Sequence, residues 1–200
     1  MATDLHHQPS PDQAWTGQTP SPARRGPKPR LSTKALAAAA VALADEEGLA
    51  AVAMRPVAAR LGVGAMTLYT YVPSKAELIE LMFDHVYGEP LPDFSPTAPP
   101  RDRLAALARA DRAIQLRHPW LLEISDAVYG PNRTTRHEQG LRAMDGLELS
   151  GLEKSQALDL LDAYVAGVVR AASPDPDRGF EFGLAPILDG IDALIAARSA

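Results

Sequence analysis

Met54-Arg55-Pro56-Val57-Ala58-Ala59-Arg60-Leu61-Gly62-Val63-Gly64-Ala65-Met66-Thr67-Leu68-Tyr69-Thr70-Tyr71 is the stretch on which the fold turns. Two helices that meet steeply through a short turn need particular residue types at particular places. Ala58 is small where the helices would cross, Gly62 permits a positive φ in the turn, and Val63 can plug the joint beneath it. Val57, Leu61, Leu68 and Val72 recur at helical spacing and point to a common core. The pattern is that of a helix-turn-helix. With Leu68 and Val72 inward, the second helix of the pair presents Met66, Thr67, Tyr69 and Thr70 outward, with Tyr71 at its flank.

That outward face holds no Arg, Asn or Gln, the side chains that read guanine and adenine bidentately. Base reading would rest on hydroxyls and on apolar contact of Met66 or Ala65 with thymine methyls. Tyr69, Tyr71 and Lys75 suit phosphate oxygens, which fix register without specifying sequence. By spacing alone, an ordinary helical hairpin stays open as the alternative.

Around this pair the periodicity predicts further helices. Ser32 or Thr33 can cap one from Lys34 to about Glu47, ended by Gly48. The quoted stretch supplies helices over Arg55 to Leu61 and Ala65 to Val72, and Ser74 caps a fourth over Lys75 to Tyr87. Five prolines between Pro90 and Pro100 read as a linker. Beyond it, helices are expected over Arg101–Arg117, Trp120–Asp126, Asn132–Leu149, Glu153–Ala172 and Phe180–Ala197. The fold class is all-α, in four parts. Residues 1–31 read as a disordered tail with a basic arm, 32–88 as a three-helix helix-turn-helix head closed by the fourth helix, 89–100 as the linker, and 101–200 as a helical body.

Charge supports this division. The 200 residues carry a net charge of -5. Within residues 24–75, however, Arg24, Arg25, Lys28, Arg30, Lys34, Arg55, Arg60 and Lys75 face only Asp45, Glu46 and Glu47, whereas residues 76–200 hold 12 basic and 20 acidic groups. A basic segment on an acidic remainder is the asymmetry of a nucleic-acid-binding head on another body. The chain has no cysteine, which excludes disulfides, thiolate metal sites and thiol nucleophiles. Its longest apolar run, Ala35 to Ala44, falls well short of the roughly 20 residues of a membrane span.

Gly48-Leu49, Met54-Arg55-Pro56-Val57-Ala58, Leu61-Gly62-Val63, and Thr67-Leu68-Tyr69-Thr70-Tyr71-Val72-Pro73-Ser74-Lys75 running on to Met82 resemble the DNA-binding domain of the TetR family of bacterial transcriptional regulators. The likeness covers about residues 33–83. The body is similar to the C-terminal domain of Tet-repressor-like members through His118-Pro119-Trp120, Gly130-Pro131-Asn132, Glu138 with Leu141, Tyr164 to Gly167, and Phe180 to Leu184 with Asp189-Gly190. This resemblance implies a homodimeric repressor on an inverted-repeat operator, relieved by a small molecule bound in the body. It places DNA contacts at Arg55, Ala65, Met66, Thr67, Tyr69, Thr70, Tyr71 and Lys75.

Two departures stand out. Ala53 takes the capping position before the second helix, where related chains have Ser or Thr. Only about ten residues join the last two helices, where related chains commonly carry a long loop and an extra helix.

Arg25, Lys28 and Arg30 form an arm suited to a minor groove, or else a solvated linker. Arg24-Arg25 before an apolar run also resembles a twin-arginine export signal, the rival from another class, although cleavage near Ala44 would sever the first helix. A DNA-binding regulator that senses no small molecule is the remaining alternative. No catalytic, metal or cofactor constellation emerges: His85, His118 and His137 have no partner pattern and read as helix-surface or capping residues. Trp120, Met144 and Tyr164 are the candidate ligand contacts, and the last two helices, with Gly167, Gly183 and Gly190, the candidate dimer interface. A cytoplasmic, non-enzymatic protein is expected.

Overall fold

The computed structural model describes residues 31–91, 95, 97–124, 130–171 and 174–197. Among the described residues every regular element is helical, and none lies in a strand. Eight α-helices follow in order: α1 (Thr33–Glu47), α2 (Met54–Leu61), α3 (Ala65–Tyr69), α4 (Lys75–Tyr87), α5 (Pro100–Arg117), α6 (Pro131–Ala143), α7 (Gly151–Arg170) and α8 (Pro176–Ala196), with 3₁₀ turns at Leu49–Ala51 and Pro119–Glu123.

α1 starts where Ser32 accepts a hydrogen bond from the Ala35 N–H at 3.1 Å, and its alanine-rich sequence makes it a slender helix. Leu36, Ala40, Val41, Leu43 and Ala44 are buried against Leu78, Met82, Phe83 and Val86 of α4. α2 lacks a side-chain cap at Ala53, as its sequence implies. It ends at Gly62, where φ is 67° in the left-handed region, and Val63 N–H closes the turn onto the Ala58 carbonyl at 3.0 Å.

α3 is shorter than the expected Ala65–Val72. Pro73 disfavours helical backbone at the residue before it, so the regular helix stops at Tyr69 while Val72 N–H still reaches the Leu68 carbonyl at 2.9 Å. Leu68 and Val72 are buried, as their spacing predicts; Leu61 is only partly so.

In the body, α5 packs on α7 and α8, which pack on each other, and α6 lies against α4, α5 and α7. Phe180, Leu184, Leu188 and Ile191 form the buried stripe of α8, meeting Leu104, Leu107 and Ala108 of α5 and Leu158, Leu161 and Val165 of α7. Arginines of α5 run along α8: Arg101 bridges Asp189 at 2.7 Å and Asp192 at 2.8 Å, Arg109 bonds Glu181 twice at 2.8 Å, and Arg112 meets Asp177 at 2.8 Å. Such surface pairs fix alignment more than stability.

Several boundaries differ from expectation. α8 begins at Pro176, because Pro is accommodated in a first helical turn where no N–H partner is required, and Asp175 caps it by accepting from Arg178 N–H at 3.1 Å. With α7 ending at Arg170, the join is shorter still than the sequence suggests. α6 ends at Ala143 rather than Leu149, and the chain turns there through a bond from Leu147 N–H to the Met144 carbonyl at 3.2 Å. The segment expected as a helix from Trp120 is a 3₁₀ turn, Pro119–Glu123, with residues 125–129 outside the described ones.

Candidate nucleic-acid interface and ligand cavity

α3 stands on the surface with its inner face pinned by Leu68. Met66, 77% exposed, projects from it with Thr67 and Tyr69, and Thr70 and Tyr71 follow in the exposed turn beyond. Ala65 is partly buried at the foot of the helix. Thr70 Oγ donates to the Thr67 carbonyl at 2.6 Å, so that hydroxyl is oriented by its own turn. Arg55 in the first turn of α2 and Lys75 in that of α4 are both exposed. Arg60, by contrast, is bound by Glu46 through both guanidinium nitrogens, which removes one of the head's positive charges from free display. Arg25, Lys28 and Arg30 lie outside the described residues.

Head and body are joined by partly buried polar bonds. Asp45 of α1 accepts from the Trp120 indole N–H and lies against His118 Nδ1, both at 2.8 Å. Asp84 of α4 accepts from Asn132 N–H at 2.8 Å and from the Asn132 amide at 2.9 Å, and so holds the first turn of α6. The Asn132 amide also donates to the Asp84 carbonyl at 2.9 Å.

α6 then runs from this clamp along one wall of a cavity of about 330 Å³. Leu107 and Ala108 of α5, Leu121 and Leu122, and Leu158 and Leu161 of α7 give it apolar walls. Phe83 and Tyr87 of α4 also line it, so the floor of the cavity belongs to the helix that carries Lys75 at its other end.

The cavity's polar groups are concentrated on α5, α6 and α7. Arg136 is 7% exposed; its Nε donates to Asp111 Oδ1 at 2.8 Å, and its Nη2 lies 2.7 Å from the same oxygen. Among the described residues its Nη1 has no hydrogen-bond partner, nor has Oε1 of Gln115, also 7% exposed. Arg133 lies over the rings of Phe83 and Tyr87, 5.3 and 5.4 Å from their centroids. Burial pushes the Asp111 carboxyl up against the opposing pull of Arg136. Asp162 opens onto the cavity, so its surface stays accessible while protein surrounds it. That enclosure, reinforced by the Asp111 charge, raises its carboxyl to about 7. Burial likewise pushes the Tyr87 hydroxyl up to about 12.

None of the three aromatic or sulfur side chains expected to touch a ligand lines this cavity. Trp120 is buried in the core of the head, its polar edge consumed by Asp45. Met144 is fully buried in the body core just beyond α6. Tyr164 stacks on Phe180 with centroids 5.8 Å apart and donates its hydroxyl to the Phe180 carbonyl at 2.6 Å. Each satisfies packing elsewhere, and size and helical spacing alone cannot distinguish that from a ligand wall. The polar residues that do line it were missed. Their signal is their phase, because Asp111 and Gln115 stand on the same stripe of α5 as Leu104, Leu107 and Ala108. Of the histidines, His118 is buried against Asp45 rather than exposed, His85 is half-buried in α4, and His137 reaches the cavity.

Among the described residues, nothing covers the outer faces of α7 and α8. Phe182, 82% exposed, Leu152 and Leu160 lie there, and a Cβ built at Gly167 or Gly190 would meet nothing within 4 Å. Gly183 differs: its Cβ would lie 2.5 Å from the Tyr164 hydroxyl, so it serves packing inside the subunit, not approach from outside.

A helix-turn-helix on a helical body with a half-polar cavity is the build of a one-chain transcriptional regulator. Residues 36–82 match the family described as bacterial regulatory proteins, tetR family, and residues 95–173 match the tetracyclin repressor-like C-terminal domain. The HTH-type transcriptional repressor DrrR1 of Streptomyces coeruleorubidus is 33% identical over 238 residues, covering 92% of this chain and 84% of its own. That stretch is longer than the present chain, so the relative carries insertions within it. Among solved structures, ActR of Streptomyces coelicolor in complex with (S)-DNPA aligns with a TM-score of 0.72 at 25% identity, over 82% of this chain and 98% of its own. BioQ, known from Mycobacterium smegmatis, with its natural double-stranded DNA operator aligns with a TM-score of 0.68 at 27% identity, over 82% and 99%. The chain belongs to the TetR family of bacterial transcriptional regulators. Among the described residues no helix is long and apolar enough to cross a membrane.

Proposed function

We propose that this protein is a cytoplasmic, non-catalytic repressor. It binds an inverted-repeat operator as a homodimer and releases it when a small molecule fills the body cavity. One observation carries the reading: α6 lines the cavity through Arg133, Arg136 and His137, and its first turn is hydrogen-bonded through Asn132 to Asp84 of α4 in the head. A ligand that displaces α6 therefore pulls on α4, which packs on α1 and follows α3 directly in the chain. The relatives support both ends of the link, since ActR is described with a bound small molecule and BioQ with its operator.

In this reading α3 enters the major groove. Met66, Thr67 and Thr70 meet base edges, with Ala65 close by, while Arg55, Tyr69, Tyr71 and Lys75 hold phosphates. Arg25, Lys28 and Arg30 precede α1 and suit an adjacent minor groove. The second subunit packs across α7 and α8, where Phe182, Leu152 and Leu160 lie bare and the unobstructed Gly167 and Gly190 allow helices to approach. The domain limits that go with it are a tail to residue 31, a head over 32–88, a linker over 89–100 and a body from 101.

Operator selection from random DNA tests this reading. It should return a two-fold-related pair of half-sites spaced to suit two heads. Lys75→Ala should weaken operator and non-specific binding together and lower the salt slope by about 1, Tyr69→Ala should weaken both with the slope nearly unchanged, and Met66→Ala or Thr70→Ala should relax sequence preference. Unchanged affinity in all four variants at fixed salt would sink the assignment of the head.

A further inference from the structure

We propose that the cavity takes an organic anion, an apolar body carrying a carboxylate or another ionised oxygen, with that oxygen held by the guanidiniums of Arg136 and Arg133 on α6. The inference rests on the regulatory reading above and names the class of ligand.

Three guanidiniums, Arg133, Arg136 and Arg170, line the cavity against two carboxyls, Asp111 and Asp162. Asp111 is spent on Arg136 through a single oxygen, Oδ1, which leaves the opposite edge of the guanidinium free. Arg136 is more than nine-tenths buried, and its Nη1 has no hydrogen-bond partner among the described residues. A buried charged donor without an acceptor is costly, and an anionic oxygen entering the cavity removes that cost. Arg133 faces aromatic rings and forms no ion pair among the described residues, so its charge is uncompensated by any carboxylate contact.

Asp162 does not restore the balance. It too forms no ion pair among the described residues, and enclosure favours its uncharged form, so near neutrality it cancels only part of a positive charge. A neutral Asp162 also offers an O–H to the ligand, and Gln115, with its unpartnered Oε1, offers an acceptor to a ligand hydroxyl or N–H. The remaining wall, built by Leu107, Leu121, Leu158 and Leu161, receives the apolar body. The cavity volume of about 330 Å³ falls at the small end of ligand sites, which sets the scale at a compact molecule of two or three rings or their equivalent.

The test uses the full chain and three probes of one shape and different charge: 2-naphthoate, 2-naphthamide and 2-naphthylmethylammonium, each titrated calorimetrically at neutral pH. The expected order is naphthoate tightest, by about tenfold or more over the amide, with the cation weakest. Arg133→Gln should shrink the naphthoate-to-amide ratio. Arg136→Lys, which keeps a positive charge opposite Asp111 but loses the planar fork that carries Nη1, should shrink it further. If the lysine variant does not fold, the wild-type ratio and Arg133→Gln still decide the matter. An amide that binds as well as the acid, a ratio unmoved by the variants, or binding by none of the probes overturns the proposal. Tightest binding by the cation also overturns it and makes Asp162 the anchor. Operator selection reads the heads and is independent of all three probes. A protein that selects an operator yet shows no preference for the acid loses this inference and keeps the regulatory reading.

Discussion

The head and the body are built from the same material, helices with Leu, Val and Ala at helical spacing, yet they are finished to different degrees. The core of the head is apolar from Leu36 and Ala40 of α1 to Leu78 and Met82 of α4, and the two ring side chains buried at its edge, Trp120 and His118, both meet Asp45. The body is sealed only where α5, α7 and α8 meet around Phe180 and Leu184. On one side it opens into a cavity with unmatched polar atoms; on the other, α7 and α8 present Phe182 and Leu160 to solvent. The difference teaches which part acts as a rigid reader and which awaits partners.

The largest expected effect lies in the head. Leu78 has no exposed surface, and Leu78→Ala leaves a hole bounded by α1 and α4 that has no route to solvent. A loss of about 2–5 kcal/mol is expected, read from urea unfolding. Leu158→Ala in the body should fall at or below the low end of that range, because its side chain already borders open space and no new enclosed void forms. Equal losses at the two positions would break the contrast between a closed core and an open one.

A smaller effect separates the inner and outer faces of the body. In Gly183→Ala the new Cβ meets the Tyr164 ring, which is held by its stacking on Phe180 and its bond to the Phe180 carbonyl. Overpacking of this kind costs about 1–3 kcal/mol. Gly167→Ala meets nothing, so within the subunit it should gain up to about 1 kcal/mol of helix propensity. Sedimentation should then show weaker self-association for Gly167→Ala if a partner helix lies against that face, with Gly183→Ala altering stability alone. The opposite assignment of the two effects would place the dimer elsewhere.

How much of this was legible in the sequence follows the same division. In the head, packing, turn geometry and exposure all depend on local pattern. Gly62-Val63 and the Leu68–Val72 spacing therefore predict the turn and the inner face of α3, and only Pro73 shortens the helix. In the body, the helices were legible but the cavity was not. A cavity is a property of several helices at once, and Trp120, Met144 and Tyr164 carry the same apolar signal whether they wall a ligand or fill a core. The informative residues were the polar ones in apolar phase. Gln115 follows Ile114 on the buried side of α5, and Asp162 follows Leu161 on α7, where an ordinary core helix would place another apolar group. Arg133 and Arg136 gave no such signal, because α6 is polar along most of its length and only its packing against neighbouring helices brings Arg133 onto the rings of α4 and Arg136 onto Asp111 of α5.

The smallest expected effect tests whether the cavity wall is held in reserve for a ligand. Asp162 is a carboxyl raised from 3.8 to about 7 by enclosure first and by the Asp111 charge second. The folded protein therefore keeps a proton that the unfolded chain gives up, and stability gained from that proton is complete below about pH 4, declines as the pH rises, and is gone above about 7. Asp162→Asn cannot lose the proton, so the variant's melting temperature should fall less than the wild type's between about pH 5 and 7 and run parallel to it above that range. The effect is modest because one side of the carboxyl faces the cavity, where water can enter and screen it. Parallel curves throughout would mean that Asp162 is already ionised and paired with the guanidiniums of α6. In that case the cavity would carry less uncompensated positive charge, and the preference for an acidic ligand would weaken with it.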